Sequence, residues 1–461
     1  MALALAPDVA SYRFDRNRLE KPGFFERAMV VVTTGTLLMG LPVDWFLTRA
    51  QVDLRDGNLK MVAVQLTLMM FGVLRIVGRL DNVVQVIKLE VTIFLFTGLA
   101  MASLFWSADI GETIRQSIVI AAIAFYGLYL IIRFELVEII RLLAAMFTVS
   151  AIASLTFIIA FPVYGITAGS GNWDGVFYHK NALGFGAAMA IPALVVAART
   201  TPRYRFVFYA AAVAHLVMLF FSESKTMYVA GFGSLLLLMV YRLFRGRKTL
   251  RGAVMTSMFG STVFATAFAT ANIALLAKWL DKDVSLTGRV PLWEDLIPVA
   301  MQRIPFGFGY RAAFGGYFSP VHEVWIQHGW QPSHAHNALF HIWLELGLVG
   351  VALFMVGFFR AVKRAIHVVN IIPDAVGLWP LTFLSTSLLI SVSESGITYT
   401  ESGWLMYVVA VLAVSNWTKN KIVLVDPDKL EKMKRSQEIE EGLGADDVSL
   451  TDFDLVGANV R

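Results

Sequence analysis

The sequence predicts an all-α, polytopic membrane protein with about twelve transmembrane helices. Three observations carry that expectation. Hydrophobic residues make up 57% of the 461 positions and charged residues 16%, whereas soluble domains carry roughly 25% charged residues. Apolar windows near the ~20 residues needed to cross a bilayer recur along most of the chain. Basic residues collect in alternate connections between those windows, the asymmetry that sets orientation in a membrane.

The windows fall at 28–47, 58–76, 86–106, 113–132, 138–161, 181–198, 204–222, 226–244, 252–277, 337–358, 377–394 and 402–417. With the N-terminus on the cytoplasmic side, the inner connections hold Arg75, Arg79 and Lys88; Arg133 and Arg141; Arg199, Arg203 and Arg205; Arg242, Arg245, Arg247, Lys248 and Arg251; and Arg360, Lys363 and Arg364. The outer connections are poorer in basic residues, and both termini are then expected to be cytoplasmic. Residues 1–27 carry several charges and no apolar core, so they read as a cytoplasmic segment rather than a cleavable signal peptide. Residues 28–417 form the membrane domain, and 418–461 a polar cytoplasmic tail with a helix over Asp428–Glu441 and a disordered end. The absence of cysteine excludes disulfides, thiol nucleophiles and Cys-ligated metals. The net charge of +5 is loop lysine and arginine, not a nucleic-acid surface.

Two outer connections are long. Residues 162–180 are rich in glycine and aromatics, and residues 278–336 form one large loop between the ninth and tenth windows. In the large loop Val290, Trp293, Ile297, Ala300 and Ile304 keep helical spacing, with Arg289, Glu294, Asp295, Gln302 and Arg303 on the other face. That pattern predicts an amphipathic helix at the membrane interface. Pro305-Phe-Gly-Phe-Gly-Tyr310 follows no strand and opens no βαβ unit, so it reads as a flexible loop and not as a dinucleotide fingerprint.

Polar chemistry gathers on the outer side. Five of the eight histidines lie between His322 and His341. Pro332 disfavours helix before it, and His334 and His336, two apart, point the same way in an extended segment. Asn337 is placed to cap the following helix, and Asn337, His341 and Glu345 then share a face. His179 and Lys180 precede the sixth window, with Asn181 as its cap. Lys225 lies in the tight Ser222-Glu-Ser-Lys-Thr226 turn, Arg289 opens the amphipathic helix, Arg311 follows the glycines, and Glu394 and Glu401 flank the last outer turn. Ionisable groups at the edge of spans are expensive and need a function or a partner. Zinc on His334 and His336 with His341 or Glu345 is one reading, but no HExxH motif is present and no metal is expected. Ser222 and Ser224 sit in no G-x-S-x-G elbow, which argues against a serine hydrolase. Fixed positive charge from Lys225, Arg289 and Arg311 beside His336 instead suits an anionic, phosphate-bearing ligand.

Four stretches resemble the O-antigen ligase and Wzy-type polysaccharide polymerase superfamily, most of all the ExoQ-like exopolysaccharide polymerases. They are Gly175-Val-Phe-Tyr-His-Lys-Asn-Ala-Leu-Gly184, Phe221-Ser-Glu-Ser-Lys-Thr226, Thr287-Gly-Arg-Val-Pro-Leu-Trp293, and Ser333-His-Ala-His-Asn337 with Glu345, Gly347 and Gly350. Their order and the large loop between them run from about residue 160 to 415. The resemblance implies a GT-C-type glycosyltransferase in a bacterial inner membrane. It would transfer an oligosaccharide from undecaprenyl diphosphate to an acceptor glycan on the periplasmic side, without a cofactor. It maps the basic residue of the turn to Lys225, the loop arginine to Arg289 and the histidine before asparagine to His336, and lysine rather than arginine in the turn favours the polymerase branch.

On that reading Arg289 and Lys225 hold the departing diphosphate, and His336 accepts the proton of the attacking hydroxyl or orients it. Trp173, Tyr178, Trp325 and Trp330 are aromatic surfaces for sugar rings or anchors at the interface. His334, Asn337, His341, Glu345, Arg311, His179, Lys180 and Trp173 are expected around the substrate. The partners implied are the lipid-linked donor, the acceptor glycan and membrane lipid, with room for a flippase and a chain-length regulator of the same pathway. A ligase acting on lipid A core or protein is the same-class alternative. A transporter is the other, but no internal repeat is visible and the polar residues sit at one face rather than the midplane.

Overall fold

The computed structural model describes residues 21–39, 59–243, 289–315, 319–371, 375–392 and 394–419, with scattered positions between 250 and 260. Most of the ninth window, the start of the large loop and the expected tail helix over Asp428–Glu441 lie outside the described residues. Among those described, the fold is all-helical, apart from a single β-bridge between Ile166 and Trp173. The helices are α1 (Phe24–Met39), α2 (Leu59–Leu74), α3 (Leu80–Leu89), α4 (Val91–Ala102), α5 (Ile110–Arg133), α6 (Leu136–Ala160), α7 (Lys180–Thr200), α8 (Arg205–Phe221), α9 (Lys225–Leu243), α10 (Arg289–Gln302), α11 (His322–His328), α12 (Ala338–Ile371), α13 (Ala375–Ser391) and α14 (Glu401–Lys419).

Five of these stretches are long and apolar enough to cross a bilayer: Ile110–Arg133, Leu136–Ala160, Lys180–Thr200, Pro202–Phe221 and Ala338–Val369. A sixth is added if Met61–Leu74 and Val77–Leu89, bent by 43°, count as one span. The chain is a multi-pass membrane protein. The second and third windows are divided differently from the expectation: the chain bends after Leu74, α3 fills the expected connection, and a second break falls at Glu90 inside the third window. Glu90 is fully buried and bonded to the Arg364 guanidinium and to Ser415 (3.0 Å). Polar partners thus override a propensity that would have continued the helix.

Helix α7 packs against α6, α8, α9 and α13, and its small residues permit this. A Cβ on Gly184 would lie 3.0 Å from Met227, and one on Gly186 2.9 Å from Phe177. Small side chains at such crossings let backbones approach where lipid supplies no hydrophobic driving force. At the far end of the domain a second buried ion pair ties α1 to α5, with Arg133 Nη2 2.7 Å and Nε 2.9 Å from the Glu26 carboxylate and the Tyr129 hydroxyl donating to it at 3.0 Å. Breaking such a pair from one side leaves an uncompensated buried charge.

The tenth window is not a continuous helix. Asn337 caps it as expected, its Oδ1 accepting from Phe340 N at 2.9 Å, but Gly347 takes φ 68° and ψ −170° and interrupts α12 after nine residues. The gap is filled by backbone from the Pro305-Phe-Gly-Phe-Gly segment. Phe308 N donates to Leu344 O (2.9 Å) and Gly309 N to Glu345 O (2.9 Å), while Leu348 N and Val349 N donate to Ile304 O (2.9 Å) and Pro305 O (3.2 Å). The same segment is held from its other side. Ala108 N donates to Phe308 O (2.7 Å), Trp106 Nε1 to Phe306 O (3.0 Å) and Tyr310 N to Ser103 Oγ (2.9 Å). The expected flexible loop is therefore a pinned splice between α4, α5 and α12. Its glycines serve close backbone approach, since a Cβ on Gly307 would fall 2.5 Å from the Glu345 carbonyl carbon. Non-helical backbone at this depth is tolerable because its polar groups are satisfied by protein.

The amphipathic helix of the large loop is α10, but its buried stripe is Leu292, Leu296, Val299 and Ala300, packed with Phe308, Val324, Trp325 and Leu344. Ile297 is 44% exposed, and the helix ends before Ile304.

A β-carbon at position 347 would meet Pro305 O at 2.2 Å and Phe306 N at 2.3 Å, in a conformation that side chains rarely adopt. Gly347→Ala is expected to cost several kcal/mol, roughly 1–3 from strain and a similar amount from the collision, and to lower the unfolding midpoint in detergent. Gly98→Ala, where nothing lies within 4 Å, should leave that midpoint unchanged or raise it slightly.

Candidate functional site

Four segments distant in sequence meet at one carboxylate. Glu394 follows α13, its backbone N bonded to Ile390 O at 2.9 Å, and its side chain is only 7% exposed. Its Oε1 accepts from Arg289 Nη2 at 2.7 Å and from Asn181 Nδ2 at 3.1 Å. Its Oε2 lies 3.3 Å from His336 Nδ1 and 3.8 Å from His334 Nε2. The charge of Glu394 is compensated by the guanidinium, and hydrogen bonds satisfy its remaining lone pairs, the condition for tolerating an acid at low dielectric.

The two histidines are brought together differently from the extended segment foreseen. His336 has φ 50°, in the left-handed region, and its backbone N donates to His334 Nδ1 at 3.1 Å. This turn brings the rings together, tilted by 53° with centroids 4.1 Å apart. A β-carbon-bearing residue in that region carries strain of order 1–3 kcal/mol and persists only where its surroundings fix it. Here Trp293 Nε1 donates to Ala335 O at 2.7 Å, and Asn337 Nδ2 to Val392 O at 3.1 Å. Burial first, then the neighbouring His336 and His341, hold the His334 imidazole well below the usual histidine range, so it is neutral at pH 7.

These bonds also assign tautomers. His334 Nδ1 accepts a backbone N–H, so its proton sits on Nε2, towards Glu394. A proton on His336 Nδ1 in turn faces Glu394 Oε2 and leaves His336 Nε2 with a free lone pair. His334 Nε2, His336 Nδ1 and the Glu394 carboxylate lie within 4.8 Å of one another, close enough for a metal. That donor set nonetheless suits an acid–histidine group better. A metal on His334 Nε2 would displace its proton to Nδ1, against the His336 N–H, and Glu394 already serves Arg289 and Asn181.

Behind this group lies a second buried pair, His341 Nε2 and Glu345 Oε1 at 2.9 Å, so the helical spacing of the two is realised before the break at Gly347. Tyr399 touches both sets, 4.6 Å between ring centroids from His334 and 5.5 Å from His341.

The other expected residues are placed less centrally. Arg311 (φ 63°) lies with its guanidinium 4.1 Å above the Tyr399 ring. His179, not Asn181, caps α7, accepting from Asn181 N at 3.2 Å. That frees Asn181 for Glu394. Lys180 Nζ reaches the Asn172 amide oxygen at 2.9 Å, and the same amide donates to Glu223 at 2.8 Å. Trp173 stacks on Phe221 at 4.3 Å, which joins the long outer loop to the end of α8. Lys225 opens α9 with an exposed side chain and has no ion-pair partner among the described residues. Its turn packs on the first turn of α7, where a Cβ on Gly184 would lie 3.2 Å from Ser222 Oγ. Asn181, Glu394 and Tyr399 complete the group; Asn181 was expected only as a cap and Glu394 only as an acid of the last outer turn, and Tyr399 was not singled out. Glu394 had one legible signal, an acid at the end of an apolar window.

Residues 210–355 match a family model described as O-antigen ligase. The chain is also 27% identical over 287 residues to the exopolysaccharide production protein ExoQ of Rhizobium meliloti (strain 1021), a match covering 59% of this chain and 65% of that protein. The chain therefore spans just under two thirds of the curated relative's length. Arg289, His334, His336, His341 and Glu345 fall inside the matched region. The resemblance read from the motifs is borne out: residues 210–355 are similar to the O-antigen ligase family, and the chain is similar to an exopolysaccharide production protein.

Proposed function

We propose that the protein polymerises undecaprenyl-diphosphate-linked oligosaccharide repeat units into an exopolysaccharide, as a metal-independent membrane glycosyltransferase. The observation that carries this reading is the single carboxylate of Glu394 held between Arg289 and His336. The acceptor hydroxyl attacks the anomeric carbon. A C–O bond to the acceptor forms as the C–O bond to the diphosphate breaks, and the hydroxyl proton passes to the free Nε2 of His336. Glu394 orients that ring and balances the imidazolium, a role that acid partners of catalytic histidines fill elsewhere. Arg289 gives one N–H to Glu394 and has further donors for the leaving diphosphate, and Lys225, on the turn packed against α7, supplies a second cation. His334, Asn337, His341, Glu345, Arg311, His179, Lys180 and Trp173 surround that chemistry on this reading.

The architecture proposed with it has about twelve spans in a GT-C-type arrangement. Residues 278–336 form a periplasmic loop, the domain 28–417 lies in the bacterial inner membrane, and 1–27 and 418–461 are cytoplasmic. A flippase and a chain-length regulator fit as pathway partners. The description of the matched family as O-antigen ligase favours a second reading, transfer of a finished glycan to lipid A core or protein. The interruption at Gly347 resembles the broken spans of transporters, but its freed backbone groups are taken by the 304–309 segment, which supports the enzyme.

Purified protein in nanodiscs, given lipid-linked oligosaccharide from the native host with EDTA present, is expected to build a ladder of lipid-linked products. His336→Ala should lower turnover by about 10²–10⁴-fold. Arg289→Ala should lower it by about 10²-fold or more and Lys225→Ala by roughly tenfold. Turnover only after addition of lipid A core or a protein acceptor would establish the ligase. Lipid movement across vesicles without glycosyl transfer would establish the transporter.

The depressed His334 pKa sets a pH dependence of stability. Above about pH 6.5, the ordinary histidine value, His334 is neutral folded and unfolded and contributes nothing. As pH falls below that value the unfolded chain gains a proton the folded site refuses, and stability declines towards the lower, folded pKa. The unfolding midpoint of wild type should therefore fall more steeply between pH 7 and 5 than that of His334→Asn.

A further inference from the structure

We infer that Tyr399 and Arg311 are positioning residues that set the close-packed His334–His336 pair, and that Arg311 is not a ligand of the departing diphosphate. The inference rests on the glycosyltransferase reading above. One short segment frames both rings. Its first residue, Glu394, bonds His336, and its last, Tyr399, lies against His334. Between them runs a tight turn, with Tyr399 N bonded to Ser395 O at 2.8 Å and Thr400 N to Gly396 O at 3.1 Å. The histidine pair is thus held by a carboxylate and by an aromatic ring, both delivered by six consecutive residues.

Arg311 fastens the far end of that turn. Its Nη2 donates to the Tyr399 carbonyl at 2.5 Å while the guanidinium carbon sits 4.1 Å from the centroid of the ring. An arginine held by both a cation–π contact and an N–H is fixed in geometry, which a lysine point charge would not achieve. Its own backbone is fixed too, because residues 308–310 are bonded to Ala108, Ser103, Leu344 and Glu345. Burial opposes its charge, but Tyr310, Tyr399, Glu345 and Glu401 around it more than offset that and keep the guanidinium charged. The charge of Arg311 is directed at Tyr310, Tyr399, Glu345 and Glu401 within the protein, and the donor it leaves over, Nε, is itself buried. Arg289, by contrast, opens its helix beside the histidines.

Without the Tyr399 ring, His334 loses the surface that excludes water and fixes its plane, and His336 loses the neighbour whose Nδ1 stabilises its left-handed turn. Tyr399→Leu is expected to lower kcat by about 10²-fold, the scale of an ångström-level misplacement, with KM for the lipid-linked donor within about twofold of wild type. Tyr399→Phe should restore kcat to within about threefold, since it keeps the ring. Arg311→Lys and Arg311→Gln should follow Tyr399→Leu in lowering kcat at unchanged donor KM. Arg289→Ala should raise that KM. A second readout needs no turnover: the rate of diethyl pyrocarbonate modification of His334, followed by mass spectrometry on variants with wild-type unfolding midpoints. It should rise at least severalfold in Tyr399→Leu and stay at the wild-type rate in Tyr399→Phe. If Arg311→Gln raises donor KM at unchanged kcat, Arg311 is a donor ligand and the inference is wrong. Equal modification of His334 in Tyr399→Leu and wild type would overturn the role of Tyr399. Loss of transfer from wild type with every acceptor would overturn the glycosyltransferase reading alone, leaving the modification rates to decide the packing role.

Discussion

A buried carboxylate must find its counter-charge within the protein, and Glu394 finds it in Arg289. That requirement organises the end of the molecule that holds the histidines. Glu394 engages Arg289 of α10 and Asn181 at the start of α7 and lies against the imidazoles of His334 and His336. The geometry of the candidate site follows from satisfying one acid in a place where water does not do so.

The same demand is met differently at the other end of the helices. Glu26 with Arg133, and Glu90 with Arg364, tie α1 to α5 and the start of α4 to α12. Arg364 lies 17 residues beyond Gly347, about 25 Å along a helix, so these pairs fasten the domain remote from the histidines. In a protein whose apolar side chains gain nothing by leaving lipid for one another, close-packed glycines and such polar ties carry much of the specificity of assembly.

Much of the fold was legible because hydropathy reports it directly. The helices over 110–133, 136–160, 180–200 and 202–221 fall within a few residues of their apolar windows. What hydropathy could not show was interruption. Gly347 sits in an unbroken apolar run, and its left-handed conformation exists only because residues 304–309 arrive from the other side to bond the freed carbonyls. That is a tertiary fact with no local sequence period. At the site, Asn337, His341 and Glu345 were readable from helical spacing, and the His-x-His pair from its composition. The left-handed turn at His336 was not, because nothing in an Ala-His-Asn string announces a positive φ. Glu394 was readable as an acid at the end of an apolar window, but its pairing with His336, 58 residues away, and that of Tyr399 with His334 arise only through packing. His179 capped where Asn181 was expected because the asparagine amide is taken by Glu394.

The splice at Gly347 also bears on how the site comes into being during synthesis. The first turns of α12 carry His341 and Glu345, yet the carbonyls of Leu344 and Glu345 are capped by Phe308 and Gly309, whose own segment is moored to α4 and α5. A nascent chain that had released α12 alone would hold a half-helix with the carbonyls of Leu344 and Glu345 unpaired. The order of closure is thereby constrained. The earlier helices provide the mooring, the loop lies across it, and only then does the short half-helix have somewhere to end. Glu394 and Tyr399 emerge later still, so the group that orients the histidines is the last piece added to a frame already built.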